Sequence, residues 1–150
     1  MKPISIVLTT LTLGGFAQGI TTFTNCAPGP TVMTVTGFTV IPDPLCINHN
    51  MCATATGPLS DQIYGDAKYA VNGRYLGRLV YVDNQNLCAL LDLQGRPCPV
   101  ATTVTSLTTC TLVKPTAPAY IGMAMTFTAT NGNGAIIYCQ TGVMTAVQCP

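Results

Sequence analysis

Eight cysteines constrain this chain more than any other feature. All of them lie between positions 26 and 149 of the 150 residues. An even number of cysteines in a secreted chain predicts a disulfide framework, although spacing alone does not give the pairing. The chain has no C-x-x-C pair, and His49 is its single histidine, so a zinc site of cysteine and histidine ligands is disfavoured. We therefore predict a disulfide-bonded domain with neither metal nor cofactor.

The first 19 residues predict a secretion signal. Lys2 supplies a positive start, residues 4 to 16 are mostly apolar, and Ala17 and Gly19 are the small residues that a signal peptidase site requires. The apolar run is shorter than the roughly 20 residues of a membrane span. We predict a signal peptide at 1–19 and a domain at 20–150 that is secreted, or held in the lumen of a vacuole or another endomembrane compartment. The alternative is an N-terminal core strand or an uncleaved anchor.

Charged side chains are rare. The chain contains six Lys and Arg residues and five acidic residues, all of them Asp, so the formal net charge is +1. Charges that nearly cancel steer neither nucleic acid nor an anionic membrane over long range. Hydrophobic residues make up 48% of the chain. This composition suits either a well-covered core or a protein that handles apolar ligands, and it does not separate the two.

The clearest strand pattern covers residues 68 to 82, which alternate as one long strand. Gly73 and Gly77 fall on its apolar side and indicate a bulge or a close backbone approach. The other side carries mostly polar residues, as expected of a strand with one solvent-exposed face. The apolar side carries Tyr69, Val71, Tyr75, Leu79 and Tyr81.

Further strands are predicted along the rest of the chain, because Thr, Val, Ile and Tyr abound and Gly or Pro recurs every ten residues or so. Residues 123–130 alternate, NGNG at 131–134 predicts a hairpin turn, and 135–140 is the returning strand. Several short strands without a long helix predict an antiparallel β-sandwich. Weaker strands are predicted at 31–40 and 102–113.

One helical candidate lies in the sequence NLCALLDLQGRPCPV, residues 86–100. Asn84 or Asn86 can cap its start and Gly95 can end it. So short a helix is not stable alone in water and needs support from the fold. The residues expected to face the core are Leu87, Leu90 and Leu91.

Several segments in order resemble the ML lipid-recognition domain. They are FTNC (23–26), TVTGFTVIPDPLC (34–46), GPLSDQIYGDAKYAVNGRYLGRLVY (57–81), NLCALL…RPCPV (86–100) and IIYCQ (136–140). The family includes the Niemann–Pick type C two sterol carrier, the mite group two allergens and the fungal phosphatidylglycerol/phosphatidylinositol transfer proteins. The leucine segment between two cysteines looks closest to the fungal branch, which favours a phospholipid, while a sterol stays open.

The resemblance implies an all-β, immunoglobulin-like antiparallel β-sandwich with disulfides and an apolar cavity between the sheets. It also implies three disulfides, Cys26–Cys139, Cys46–Cys52 and Cys88–Cys98. The last of these would hold the short leucine turn in place. The remaining cysteines have no counterpart in the family pattern. We pair Cys110 with Cys149 by elimination, with two free thiols as the alternative.

The resemblance also implies a set of lipid-binding residues. Each of them suits plain core packing when taken alone, and together they are reasonable cavity linings. The methionines among them adapt to varied ligand shapes. Tyr120 lies in the loop 118–121, which resembles the loop at the cavity mouth of sterol carriers, where its ring can meet the ligand. The set is Phe38, Tyr69, Val71, Tyr75, Leu79, Tyr120, Met123, Met125, Phe127 and Ile137.

The function implied by the resemblance is that of a monomeric, secreted lipid-binding and transfer protein, which exchanges a phospholipid or sterol with membranes by transient contact. The alternative is a secreted β-sandwich with a filled core that binds a protein or a glycan. An enzyme is disfavoured, because His49 has no triad-like setting and Asp61 and Asp66 are typical of a solvated turn. A cavity of several hundred Å³ between the sheets would favour the lipid carrier, and a core packed to ordinary density would favour the interaction module.

Overall fold

Two β-sheets packed face to face form the body of the chain. The computed structural model describes residues 20–150, so the predicted signal peptide at 1–19 lies outside the described residues. Turns and loops connect the strands, and one helix lies between two of them. The elements are β1 Thr24–Asn25, β2 Gly37–Ile41, β3 Leu45–Cys46, β4 Asn50–Thr56, β5 Lys68–Tyr75, β6 Arg78–Asn86, α1 Leu87–Leu93, β7 Ser106–Leu112, β8 Gly122–Thr130 and β9 Ile136–Val147.

The larger sheet has the order β1-β9-β8-β5-β6, and the short β3 pairs in parallel with β9. The smaller sheet has the order β2-β4-β7. All pairings within the smaller sheet, and all pairings along the order β1-β9-β8-β5-β6 of the larger sheet, are antiparallel. Alternate residues of each central strand are buried, because successive side chains point to opposite faces of a sheet. The predicted all-β sandwich is confirmed.

The prediction of one strand over 68–82 is wrong, because the segment folds back on itself as the hairpin of β5 and β6. The turn is Leu76–Gly77, and both residues have positive φ, 50° and 78°. Such a turn is expected from Asn-Gly or Asp-Gly, so Leu-Gly gave no hairpin signal. The reversal also carries Tyr75 and Leu79 away from the core, leaving them 39% and 49% exposed.

The helix α1 forms where it is predicted. The Asn86 side chain accepts a hydrogen bond from the backbone N–H of Ala89 at 3.0 Å and so caps the first turn. At the other end, Gly95 has φ 75°, and the backbone N–H of Arg96 donates to the carbonyl of Leu91. The three predicted leucines are buried. No helix within residues 20–150 has the length and apolar character to cross a membrane.

Two of the implied disulfides are present, Cys26–Cys139 and Cys88–Cys98. The first joins the segment of β1 to β9, across a sequence separation of 113 residues. The second joins Cys88, in the first turn of α1, to Cys98 in the loop that follows the helix. A covalent bond therefore supports the short helix, as its length requires.

The other two predicted disulfides, Cys46–Cys52 and Cys110–Cys149, are wrong. Cys52 lies directly opposite Cys110 in the β4–β7 ladder, with the Cα atoms 4.1 Å apart, and the two are bonded. Cys46 lies beside Val147 in the β3–β9 ladder, and it bonds Cys149 just beyond that strand. Strand register therefore decides both bonds, and it brings together cysteines that are far apart in sequence.

Candidate functional site

The layer between the two sheets is the candidate functional site. On the larger sheet, β5 places Tyr69 and Val71 in this layer, and β8 places Phe127 beside Val71. On the smaller sheet, Phe38 lies opposite them, with its ring centroid 5.5 Å from that of Phe127. Flanking buried side chains include Val40, Met51, Ala53, Ala55, Leu107, Met123, Met125, Ala129 and Met144.

The structure brings together most of the residues predicted to bind lipid. Phe38 is half-buried on the smaller sheet. Ile137 is buried, and it is the extra residue of a β-bulge in β9, between Ile136 and Tyr138, which pair with successive residues of β8. Tyr75, Leu79 and Tyr120 instead lie exposed at one end of the sandwich, and Tyr120 is 68% exposed. The fully buried members are Tyr69, Val71, Met123, Met125, Phe127 and Ile137.

Side chains fill this layer in the present structure. Val71 and Phe127 have no exposed surface, and Met123 and Met125 are 1% exposed. Four surface pockets within residues 20–150 have none of these four side chains in their lining. The largest of these four, of about 840 Å³, is an open recess beside β5 and β6. The apolar cavity that the resemblance implies is therefore not open at these side chains, and a ligand between the sheets must displace them.

The absence of a side chain at Gly73 leaves space for the side chains of Met123 and Met125. A methyl group at Gly73 would lie 2.9 Å from Met125 Sδ, 3.3 Å from Met123 Sδ and 3.1 Å from the Cβ of Tyr81. Methionine is unbranched and has several rotatable bonds, so it moves more readily than a branched side chain. Met144 lies directly opposite Met123 on the next strand. This part of the layer is therefore apolar and adaptable.

Aromatic rings occupy the side of the layer between β1 and β2. The Phe23 ring meets Phe38 edge-on, with centroids 4.9 Å apart, and lies 5.9 Å from Phe127. Tyr138 adds a fourth ring, 5.7 Å from Phe38. The sequence analysis missed Phe23 and Tyr138 as members of this cluster. Phe23 precedes the first cysteine by three positions, and Tyr138 precedes Cys139, so their place in the disulfide-bonded segments was the available signal.

An apolar groove of about 630 Å³ reaches this aromatic cluster from the surface. Phe23 belongs to both, and Ile41, Pro42 and Pro44 form part of the groove wall. The carboxylate of Asp43 in the wall accepts hydrogen bonds from the backbone N–H and the hydroxyl of Thr21, at 2.8 and 2.6 Å. The remaining lining residues are Ile20, Thr39, Val40, Cys46 and Cys149.

A few polar groups are buried beside this apolar layer. The hydroxyl of Tyr138 is fully buried and has no hydrogen-bond partner in the structure, and Tyr69 and Thr109 are its polar neighbours. Burial raises the pKa of both tyrosines, and the charge of Asp83 raises that of Tyr69 further. Asp83 itself is held by Lys114 Nζ at 3.1 Å. At neutral pH the Tyr138 hydroxyl is therefore a neutral, buried donor with the Tyr69 and Thr109 hydroxyls as its polar neighbours.

Comparison with known families identifies the chain. A family model described as the ML domain matches residues 21–146. The chain belongs to the ML domain family. The match spans both sheets and the helix, so the resemblance drawn from the ordered cysteine segments is confirmed. Within residues 20–150 of this ML domain, no three His, Cys, Asp or Glu side chains are grouped to hold a metal ion.

Solved structures share the fold of this ML domain at low sequence identity. A Niemann–Pick type C2 protein from the Japanese carpenter ant superposes with a TM-score of 0.64 at 16% identity, covering 83% of this chain and 98% of that one. Chicken MD-1 complexed with lipid IVa gives 0.55 at 16%, covering 82% and 87%. The C-terminal domain of wzt gives 0.55 at 10%, covering 87% and 80%. A sequence search of characterised proteins finds no significant match.

Proposed function

We propose that this ML domain is a secreted, monomeric lipid-binding and transfer protein, which holds a phospholipid or a sterol between its sheets and exchanges it with membranes. The observation that carries the proposal is the apolar layer of movable methionines and aromatic rings between two disulfide-bonded sheets. Support comes from the shared fold of chicken MD-1, whose structure contains lipid IVa. We propose no catalytic role, since the site offers apolar surface and one neutral donor rather than paired acid and base groups.

The energetics favour such a ligand. Removing a sixteen-carbon acyl chain from water is worth roughly 0.8 kcal/mol per CH₂, or about 12 kcal/mol before costs. Ordering the ligand and displacing side chains reduce this gain substantially. Rearranging methionine side chains is less costly than moving branched ones, because methionine has more rotamers of similar energy. Four disulfides hold the strands while the layer rearranges. Such bonds also suit an extracellular or lumenal protein.

Two routes into the layer are part of the proposal. The loop that contains Tyr120 lies at the end of the sandwich, and by the family resemblance we propose it as the mouth. The groove at Phe23 is the second, because displacing this ring would expose Phe38 and Phe127 from the side. The unpartnered hydroxyl of Tyr138 is the available donor for an oxygen atom of the ligand.

Native mass spectrometry of the secreted protein tests the proposal, followed by organic extraction and identification of the bound lipid. We expect a phospholipid or a sterol at one molecule per chain. Protein purified without lipid should take up labelled lipid from vesicles. Bare protein that also fails to take up lipid would exclude the carrier and favour the alternative, a filled sandwich that binds a protein or glycan.

A matched pair of glycine variants locates the ligand. Gly73→Ala places a methyl group against Met123 and Met125, whereas Gly29→Ala meets nothing within 4 Å. We expect Gly73→Ala to lower lipid uptake and Gly29→Ala to leave it unchanged. Thermal unfolding of both variants shows whether Gly73→Ala remains folded at the assay temperature. Equal uptake by the two variants would place the ligand outside the layer between the sheets.

A further inference from the structure

The carboxylate of Asp83 is buried between the two sheets, and one of its oxygen atoms is unpaired. Asp83 is 2% exposed. Its Oδ1 accepts from Lys114 Nζ at 3.1 Å and from Gln85 Nε2 at 3.0 Å. Its Oδ2 has no hydrogen-bond partner among residues 20–150. A buried carboxylate oxygen without a partner costs free energy, so its presence in the fold calls for an explanation.

Strand register places Asp83 beside the apolar layer. Asp83 on β6 lies directly opposite Val71 on β5, and Val71 lies opposite Phe127 on β8. All three side chains are buried. Residues that pair across neighbouring strands point to the same face of a sheet, so the carboxylate adjoins the surface on which we propose that the ligand lies. The Lys114 side chain is 41% exposed, so the ion pair is at the rim of the layer and Oδ2 is within it.

Hydroxyl groups from both sheets lie close to this part of the layer. The burial of Tyr69, and then the nearby charge of Asp83, raise the pKa of this tyrosine. Thr109 on the smaller sheet is 1% exposed, and its hydroxyl donates to the carbonyl of Ala53 at 3.4 Å. Tyr138 adds a buried hydroxyl that has no partner within residues 20–150. The layer therefore contains polar atoms that a purely apolar ligand would leave unsatisfied.

The chemistry of Asp83 Oδ2 limits the group that can bind it. A carboxylate oxygen only accepts hydrogen bonds, so the ligand group must donate one. A carboxylate or phosphate of the ligand would bury a second negative charge next to Asp83, which is unfavourable. An ammonium group would bury an uncompensated positive charge, because Lys114 already pairs with Asp83. A neutral hydroxyl group donates without adding charge.

We propose that Asp83 Oδ2 accepts a hydrogen bond from the hydroxyl group of a neutral lipid alcohol, whose apolar body lies over Val71 and Phe127. The lipid is held with its hydroxyl group inwards, and Asp83 determines specificity. This inference rests on the proposed function, since it places the ligand between the sheets. It also narrows that function, because a phospholipid carries a charged phosphate that this site disfavours.

Competition between a lipid alcohol and its methyl ether tests the proposal. Hexadecan-1-ol donates and accepts hydrogen bonds, whereas 1-methoxyhexadecane only accepts them. The oxidised, lipid-free protein is incubated with equal amounts of both, and native mass spectrometry counts the complexes of each mass. We expect about tenfold more complexes with the alcohol, since the ether cannot donate to the carboxylate. Equal occupancy would overturn the proposal and indicate that a water molecule satisfies Asp83.

Two variants separate the acceptor from the ion pair. Asp83→Asn introduces an amide that can donate to an ether oxygen, so the preference for the alcohol should fall to about twofold or less. Lys114→Gln breaks the same ion pair but keeps the carboxylate, so the tenfold preference should remain. Thermal unfolding shows whether each variant is folded at the assay temperature. A tenfold preference that survives in folded Asp83→Asn would overturn the proposal, because steric fit would then explain it.

Tyr138→Phe gives a test that does not depend on the folding of Asp83→Asn. It removes the other buried side-chain atom of residues 20–150 that has no partner. A tyrosine hydroxyl can donate to an alcohol and to an ether alike, so the ratio between the two complexes should stay about tenfold. Equal occupancy in Tyr138→Phe would place the ligand hydroxyl at Tyr138 and overturn the assignment to Asp83.

The outcomes keep this inference distinct from the proposed function. Protein that takes up phospholipid from vesicles but holds the alcohol and the ether equally would support the carrier and refute the role of Asp83. Protein that takes up neither vesicle lipid nor either probe would refute the carrier itself.

Discussion

Truncation of Phe127 is the sharpest test of how the layer between the sheets contributes to stability. Phe127 is completely buried, and its ring lies 5.5 and 5.9 Å from the rings of Phe38 and Phe23. Truncating a buried Phe to Ala costs about 3–5 kcal/mol, which includes the cavity left behind. Loss of two aromatic contacts favours the upper part of that range. We therefore expect Phe127→Ala to lower the free energy of unfolding by about 4 kcal/mol.

Urea unfolding of the oxidised protein, followed by tyrosine fluorescence, measures this loss. The control is Leu112→Ala, at a leucine that is 49% exposed, for which we expect less than about 1 kcal/mol. If the proposed ligand lies between the sheets, saturating lipid should narrow the difference between Phe127→Ala and wild type, because the ligand fills the cavity. A loss below about 1 kcal/mol for Phe127→Ala without lipid would show that the rings do not pack as described.

Three further predictions follow from other parts of the fold. Burial raises the pKa of Tyr69 and Tyr138 above the unfolded value, so their contribution to stability is complete below about pH 10 and is lost above it. The urea midpoint should therefore fall at alkaline pH, and absorbance at 295 nm should show these two tyrosines ionising only on unfolding. Asn86→Ala should destabilise the protein by about 1 kcal/mol in thermal unfolding, since α1 loses its cap; an unchanged midpoint would argue against that cap. Replacing both Cys52 and Cys110 by Ala should cost about 3–4 kcal/mol, and peptide mapping of the oxidised wild type should recover these two cysteines in one linked peptide.

The elements that could be predicted from sequence are those specified by neighbouring residues, through side-chain alternation, turn residues or helix caps. The alternation in 123–130 and the NGNG turn gave β8 and its hairpin with β9, because side-chain period and turn chemistry are both short-range. The helix α1 followed from a cap and three leucines. The turn at Leu76–Gly77 could not be predicted, since its first residue is one that the turn disfavours.

Disulfide pairing and part of the candidate site depend on long-range register, which spacing does not encode. Cys52 and Cys110 are 58 positions apart and meet only because β4 and β7 align as they do. Tyr75 and Leu79 had the correct period for the core face, but the hairpin turned them outwards. Phe23 lies just before β1, a strand of two residues that is too short for a period to be recognised, so its place in the aromatic cluster was missed.

The bond between Cys26 and Cys139 has a mechanical consequence. If Ile20 and Pro150 were pulled apart, the force would cross that bond and the Cys46–Cys149 bond, and it would bypass the chain between Cys46 and Cys139. Only the chain before Cys26 and after Cys139 could lengthen, to a contour of about 65 Å, against about 450 Å for the reduced polypeptide. An oxidised molecule under tension would therefore keep most of its sandwich unloaded, and chemical reduction would be needed before traction on its ends could open the fold.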